Sequence, residues 1–194
     1  MQPMQTSPRG TPPWLKPQTV EPLPTNFRFA HVCTVEELGP SFLRVTVEAD
    51  DFSSYTDAAI HFRLVLPNAS GPTAWPTVAA NGSIKWAEGP DAPHRPVYTT
   101  RWVNHGSRQM AFDIFVHEGG RTTDWAQQIM AGNQTRATVG LVGPSGGGLT
   151  DANHVLFGAD ETGVPAAARL LENLPETSVG TVFLEAESPQ TCAY

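Results

Sequence analysis

The feature that most constrains this chain is a series of short segments in which apolar and polar residues alternate. In residues 41–50, Leu43, Val45 and Val47 would lie on one side of a strand, with polar residues between them facing the other. The same kind of segment recurs at residues 59–67, 97–103, 110–117 and 135–142. With 17 glycines and 18 prolines to form turns, the sequence predicts a β barrel of antiparallel strands.

One segment within this series has a helical pattern. Residues 122–132 are predicted to form a short helix, with Thr123 or Asp124 as a cap at its start. Gly132 would end the helix, because glycine readily adopts the left-handed conformation found after helix C-termini. We therefore expect one helix between the last two strands of the barrel.

The pattern changes after residue 150. Residues 154–160 and 181–186 are short apolar runs, as expected for parallel strands covered on both faces. Between them, residues 163–175 predict a helix. Its apolar stripe would consist of Val164, Ala167, Ala168, Leu171 and Leu174. A single strand–helix–strand unit cannot close a sheet, so a partial α/β domain is predicted.

These patterns divide the chain into three parts. Residues 1–24 contain seven prolines and predict a disordered tail. Residues 25–150 would form the barrel domain, and residues 151–194 the partial α/β domain. The connection over residues 68–96 is long, and long loops are often functional or mobile.

Charge and cysteine content exclude several classes of function. A net charge of −7 argues against nucleic acid as a partner, because phosphate binding needs clustered Lys and Arg. No apolar run is long enough for membrane insertion, and residues 1–14 lack the pattern of a secretory signal. Cys33 and Cys192 fit unpaired thiols better than a disulfide or a zinc site. We expect a cytoplasmic monomer.

Several common motifs are absent. The six histidines show no paired metal-binding spacing, and the glycine-rich residues 143–148 lack the Lys that follows in a phosphate-binding loop. Trp75, Trp86 and Trp102 could form a platform for a carbohydrate, or they could pack in the core. The residues alone favour packing in the core or in loops.

The segment with the strongest local signal is Arg-Pro-Val-Tyr-Thr-Thr-Arg at residues 95–101. If strand pairing is regular, Arg95, Thr99 and Arg101 share one face, and Tyr98 lies on the other. Spacing alone favours an exposed strand that carries two arginines.

This segment resembles the R-x-Y-T-x-R flavin motif of the siderophore-interacting proteins, a branch of the ferredoxin-reductase-like flavoproteins. Residues 59–67, 113–126, 142–147 and 158–175 resemble further segments of that family, in the same order, and the resemblance spans residues 26–186. It implies a six-stranded antiparallel FAD-binding barrel followed by an NAD(P)H-binding α/β domain. It also implies that electrons pass from NAD(P)H through FAD to a ferric siderophore, which releases its iron.

The resemblance also implies roles for residues of the motif. Tyr98 would lie against the flavin ring, and Thr99 would bind near its reactive nitrogen. Arg101 would hold the pyrophosphate, for which a guanidinium is well suited. Arg95 is a second candidate for the same anionic region.

Two further groups of residues are implied in the same way. The turn before the helix would bind phosphate through free N–H groups and hydroxyls, and its residues are His117, Gly120, Thr122 and Thr123. Asp124 departs from the family, which usually has arginine there. In the α/β part, Asp160 and Thr162 would bind cofactor, with Thr162 nearest the nicotinamide or flavin. Asp160 could instead be a helix-start charge. The alternative function is a truncated flavin-binding module without reductase activity.

Overall fold

The computed structural model of the chain describes residues 22–68, 72–132 and 137–194. Six strands close into a barrel, and every neighbouring pair in it is antiparallel. In barrel order they are β1 (Phe27–Leu38), β2 (Phe42–Glu48), β7 (Gln109–Phe115), β6 (Val97–Asn104), β3 (His61–Val65) and β8 (Thr138–Ser145). The predicted six-stranded barrel is confirmed. Most of the predicted tail, residues 1–21, lies outside the described residues.

The barrel closes around the apolar positions that the alternation predicts. Val45, Leu64, Phe112 and Leu141 come from four different strands, and each is fully buried. Burying one such side chain contributes about 1.5–3 kcal/mol, so the shared interior is what holds the strands in register. Phe112 belongs to this interior, with its ring centroid 5.4 Å from that of Phe62.

The long connection contains two short strands, β4 (Thr77–Val78) and β5 (Ile84–Lys85), which pair with each other. Trp75 and Trp86 pack there against a second apolar cluster that includes Phe27. Trp102 lies on β6, outside that cluster, and is partly exposed. The three tryptophans therefore do not form one platform, and the geometry favours packing for Trp75 and Trp86.

Strand β6 is irregular at the motif. Its register with β7 shifts between Thr100 and Trp102, as in a β-bulge. Thr99 and Thr100 are both buried, but on opposite faces: Thr99 lines a cavity opposite His61, whereas Thr100 bonds to Met110 of the barrel interior. The predicted alternation therefore holds for Thr99 and Thr100, and the register shift follows them.

Helix α1 spans Arg121–Met130. Its cap is Gly120, without a side-chain hydrogen bond, so the predicted caps Thr123 and Asp124 are wrong: both lie inside the first turn. Thr123 instead accepts a hydrogen bond from the backbone N–H of His117 at 3.5 Å. Gly132, at φ 77°, follows the helix end as predicted.

The C-terminal part is a parallel pair of strands, β9 (His154–Asp160) and β10 (Val179–Glu185), connected through helix α2 (Val164–Glu172). Val164 and Ala167 of the predicted stripe are buried, but Leu171 is exposed. Arg169 of the same helix is buried although its side chain is charged. It donates hydrogen bonds to the Thr100 carbonyl oxygen and, at 2.9 Å, to Asp57, which offset the cost of burying the charge.

The outer face of β9 and β10 is open in the described part of the chain. Leu156 is 73% exposed and Phe183 is 65% exposed, so the prediction that these strands are covered on both faces is wrong here. Within residues 22–68, 72–132 and 137–194, no helix combines the length and apolar character needed to cross a membrane. The division into domains at residue 150 stays a prediction.

Candidate functional site

A cavity of about 380 Å³ lies where the barrel meets the start of α2. Strands β6 and β7 form one side, and the turn that leads into α2 forms the other. Its lining residues are His61, Pro96, Val97, Tyr98, Thr99, Asp113, Phe115, His117, Thr162, Gly163, Pro165 and Ala166. This volume lies within the range of about 300–1,000 Å³ that small-molecule sites occupy.

Tyr98 presents a half-buried aromatic ring to the cavity. Its ring centroid is 5.2 Å from that of Phe112 and 6.5 Å from that of Phe62, so the barrel core fixes its position. Burial raises the pKa of Tyr98, and hydrogen bonding to Thr122 partly opposes that rise. The ring therefore offers a flat face and a neutral hydroxyl to a ligand.

Thr99 and His61 lie directly opposite each other on paired strands, and both line the cavity. Thr99 is 7% exposed, whereas His61 is half-buried. Burial, and then the charge of Arg169, lowers the pKa of His61. Reasoning from the sequence missed His61, although its position on the strand before the long connection was available as a signal.

Arg101 lies beside the cavity with its guanidinium already engaged. Nη2 is 2.8 Å and 3.0 Å from the two carboxylate oxygens of Glu172, and Nε is 3.3 Å from Asp113 Oδ2. The Arg101 side chain is only 7% exposed. A phosphate that bound this guanidinium would have to displace Glu172, so the predicted role of Arg101 depends on that exchange.

Arg95 is arranged differently. It precedes β6, is exposed, and its guanidinium carbon lies 4.5 Å from the ring centroid of Trp86. Stacking on an aromatic face orients a guanidinium while leaving its N–H groups available. Of the two motif arginines, Arg95 thus has the more accessible guanidinium.

The start of α1 brings the predicted turn residues together. Thr122 Oγ1 is 3.1 Å from His94 Nε2 and also interacts with Tyr98. A Cβ on Gly120 would lie 2.7 Å from His117 Nε2, so only glycine fits against that ring. His117 itself reaches the cavity. The free N–H groups of the first helical turn therefore lie next to Tyr98.

Of the two residues predicted in the α/β part, Thr162 lines the cavity and Asp160 does not. Thr162 lines the cavity and donates a hydrogen bond to Asp160 Oδ1 at 2.6 Å. Asp160 also accepts from the Gly163 N–H at 3.0 Å, and it does not line the cavity. The hydrogen bond from Thr162 is the main cause of the lowered pKa of Asp160. This geometry matches the helix-start alternative for Asp160.

Asp113, one of the lining residues, holds a buried ionic network that sequence reasoning missed. Arg44 donates two hydrogen bonds of 2.7 Å to its oxygens, Arg101 forms the ion pair described above, and the Tyr194 hydroxyl donates a third hydrogen bond. The Asp113 side chain is fully buried. Hydrogen bonding to Asp113 raises the pKa of Arg44.

The structure therefore brings most of the predicted residues to one region. Tyr98, Thr99, His117 and Thr162 line the same cavity. Across residues 22–68, 72–132 and 137–194, no group of three potential metal-binding side chains occurs. The cavity combines an aromatic face, threonine hydroxyls and nearby cationic groups, a donor set that suits an aromatic ring linked to phosphates.

Comparison with known proteins gives a consistent result. The family model of the siderophore-interacting FAD-binding domain matches residues 31–148, and the model of the siderophore-interacting protein matches residues 152–194. The NADPH-dependent ferric-chelate reductase of Escherichia coli is 31% identical over 160 residues, which is 79% of this chain and 59% of the relative. Ferric vibriobactin reductase ViuB of Vibrio cholerae is also 31% identical, over 76% of this chain and 54% of that protein.

Solved structures agree with these sequence relatives. A siderophore utilization protein from T. fusca superposes with a TM-score of 0.70 at 30% identity, covering 89% of this chain and 65% of that one. The siderophore-interacting protein SipS from Aeromonas hydrophila, at 18% identity and a TM-score of 0.66, supports the fold. The chain spans between 54% and 59% of the length of these two curated relatives. This chain belongs to the family of siderophore-interacting proteins with an FAD-binding domain.

Proposed function

We propose that the chain binds FAD with the flavin ring in the cavity. The observation that carries this proposal is the joint lining of one cavity by Tyr98, Thr99 and Thr162 beside the start of α1. Tyr98 would pack against the ring, and the hydroxyl of Thr99 would hydrogen-bond near its reactive nitrogen. Thr162 would contact the flavin or the nicotinamide from the other side.

The pyrophosphate would bind at the first turn of α1. Gly120 allows close approach of the backbone, and the hydroxyls of Thr122 and Thr123 lie in the same turn. Arg95 has the more accessible guanidinium of the two motif arginines, and Arg101 would contribute only after releasing Glu172. His117 orders this turn through its contact with Thr123.

The reaction that we propose is electron transfer from NAD(P)H through FAD to a ferric siderophore. Bound flavin supplies the chemistry, because it accepts hydride from NAD(P)H and gives up single electrons. Reduction to the ferrous state weakens the hold of hard oxygen ligands on the metal, so iron is released. The reductase names of the two curated relatives favour this reaction over a flavin-binding module without reductase activity.

Reconstitution with FAD tests this proposal. After dialysis, wild-type protein should retain flavin absorbance, and Tyr98→Leu should lose at least about 1 kcal/mol of binding, or fivefold in affinity. Trp102→Leu, on the same strand but outside the cavity, is the matched control. Wild-type protein that retains no flavin would contradict the proposal.

Anaerobic reduction then separates the two functions. NADPH should bleach the bound flavin, and a ferric chelate should restore its colour. Bleaching by dithionite but not by NADPH would instead indicate a flavin-binding module. Three expectations stay predictions. Cell fractionation can check the cytoplasmic location, size-exclusion chromatography the monomeric state, and limited proteolysis the domains over residues 25–150 and 151–194.

A further inference from the structure

His61 lies beside the residue that would contact the reactive part of the flavin. It pairs directly with Thr99 on the neighbouring antiparallel strand, and both residues line the cavity. Residues directly opposite in such a pair have Cβ atoms about 4.5–5.5 Å apart and point to the same face. A group at the position predicted for Thr99 would therefore be close to the His61 imidazole.

The surroundings of His61 fix its ring and leave it available. A Cβ on Gly146 would lie 2.7 Å from His61 Nδ1, so the glycine-rich turn packs against that edge of the ring. Nε2 is the ring nitrogen for which no contact with this turn is given, so we assign it to the cavity side. Among the described residues, no side-chain hydrogen bond occupies either ring nitrogen of His61.

The other titratable groups of the cavity are poorer proton acceptors. Asp113 already accepts hydrogen bonds from Arg44 and Tyr194. Tyr98 has a raised pKa and stays protonated at neutral pH. His117 has Nδ1 3.2 Å from the Glu118 carbonyl oxygen, and its Nε2 packs against Gly120, where a Cβ would lie 2.7 Å away.

The charges that face His61 favour its neutral form. Arg169 on α2 is the charged group that lowers its pKa, together with burial. Arg169 is itself paired with Asp57, which lies on the segment before β3 and reduces its effect. Asp113 of β7 faces the same cavity but is neutralised by Arg44 and Arg101. The residues that β6 and β8 pair with His61 are Thr99 and Ser145, and neither carries a charge.

We propose that His61 accepts the proton that leaves the flavin when its electrons pass to ferric iron. This inference rests on the proposed function. Hydride from NAD(P)H brings two electrons and one proton. Two ferric ions then take one electron each, which gives two ferrous ions, oxidised flavin and one proton. Nε2 of His61 receives that proton. Because the His61 side chain is only half-buried, it can pass the proton on to water.

The test uses the FAD-loaded protein reduced by light under anaerobic conditions, so that nicotinamide binding is not required. Stopped-flow mixing with ferricyanide measures reoxidation between about pH 5 and pH 9. As the pH increases from about 5, the wild-type rate of reoxidation should rise and reach a plateau before neutral pH. The plateau is expected because neutral His61 is the proton acceptor. His61→Ala should be at least about tenfold slower, and added imidazole should restore the rate in proportion to its neutral fraction.

A second readout is the equilibrium reduction potential of the bound flavin. In the wild type its pH dependence should bend where His61 titrates, since a protonated imidazole stabilises the extra electron density of reduced flavin. His61→Gln, which retains polarity without titrating in this range, should remove the bend. His105→Ala, in the exposed turn between β6 and β7, should behave like the wild type.

The outcomes separate this inference from the function on which it rests. Wild-type protein that does not hold FAD would overturn the proposed function, and this inference with it. Flavin-loaded His61→Ala or His61→Gln with the wild-type rate, pH profile and potential would overturn the inference alone. Circular dichroism and flavin absorbance establish that each variant is folded and loaded before either comparison.

Discussion

Replacing Asp113 with Asn should reveal how strongly the ionic network around Asp113 stabilises the barrel. The carboxylate is fully buried and holds Arg44 through two short hydrogen bonds. Asn keeps the size of the side chain but removes the charge and one acceptor oxygen. Arg44 and Arg101 would then lose a counter-charge in a poorly hydrated region.

The magnitude follows from the exposure of the two arginines. Breaking a fully buried pair costs about 3–5 kcal/mol. Arg44 retains 25% side-chain exposure, and Arg101 keeps its second partner, Glu172. Both reduce the penalty, so we expect Asp113→Asn to lose about 2–3 kcal/mol of unfolding free energy. For a chain of this size, that is a fall in Tm of about 4–12 °C.

Urea unfolding followed by circular dichroism measures this loss, with thermal scans as a second assay. Asp151→Asn is the matched control, because Asp151 is exposed and lies outside the network. The double variant Arg44→Met with Asp113→Asn should be less destabilised than the sum of the single variants, since no unpaired Arg44 charge remains. A loss below about 0.5 kcal/mol for Asp113→Asn would refute the reasoning, because surface substitutions alone have effects of that size.

Two further predictions concern the barrel wall and the cofactor region. Gly140→Ala should lower the free energy of unfolding in urea by about 1–3 kcal/mol, because the new Cβ would lie 2.6 Å from the Phe27 ring. The control is Gly158→Ala, whose Cβ would meet nothing within 4 Å and which should change the free energy of unfolding far less. Glu172→Gln should tighten FAD binding about two- to fivefold in a flavin fluorescence titration, by releasing Arg101 for phosphate. Exposed Glu176→Gln is its control, and equal affinities for these two variants would exclude a phosphate-binding role for Arg101.

Local patterns were sufficient to predict the barrel. Val45, Leu64 and Phe112 are buried as the alternation requires, because a period of two determines which side chains can reach a common interior. Gly132 ends α1 for a similarly local reason. Such features depend on a few neighbouring residues, so they can be recognised without knowing how the chain closes.

The network around Asp113 could not be predicted in the same way. Arg44 and Asp113 are 69 residues apart and meet only because β2 and β7 pair in one register. The register shift between Thr100 and Trp102 is also a property of the paired strands, and the alternation within β6 does not predict it. Register and bulges depend on contacts across the barrel, which no single segment contains.

The contacts of α2 explain why Arg101 lies beside the cavity without lining it. Helix α2 supplies Glu172 to Arg101 of the barrel, and its own Arg169 bonds to Asp57 and to the Thr100 carbonyl of the barrel. These contacts hold the last turn of α2 against the barrel beside the cavity, and none of them involves a residue of the apolar barrel interior. Weakening them should therefore widen the cavity before it destabilises the barrel. Ligand affinity and global stability can thus be changed separately at this boundary.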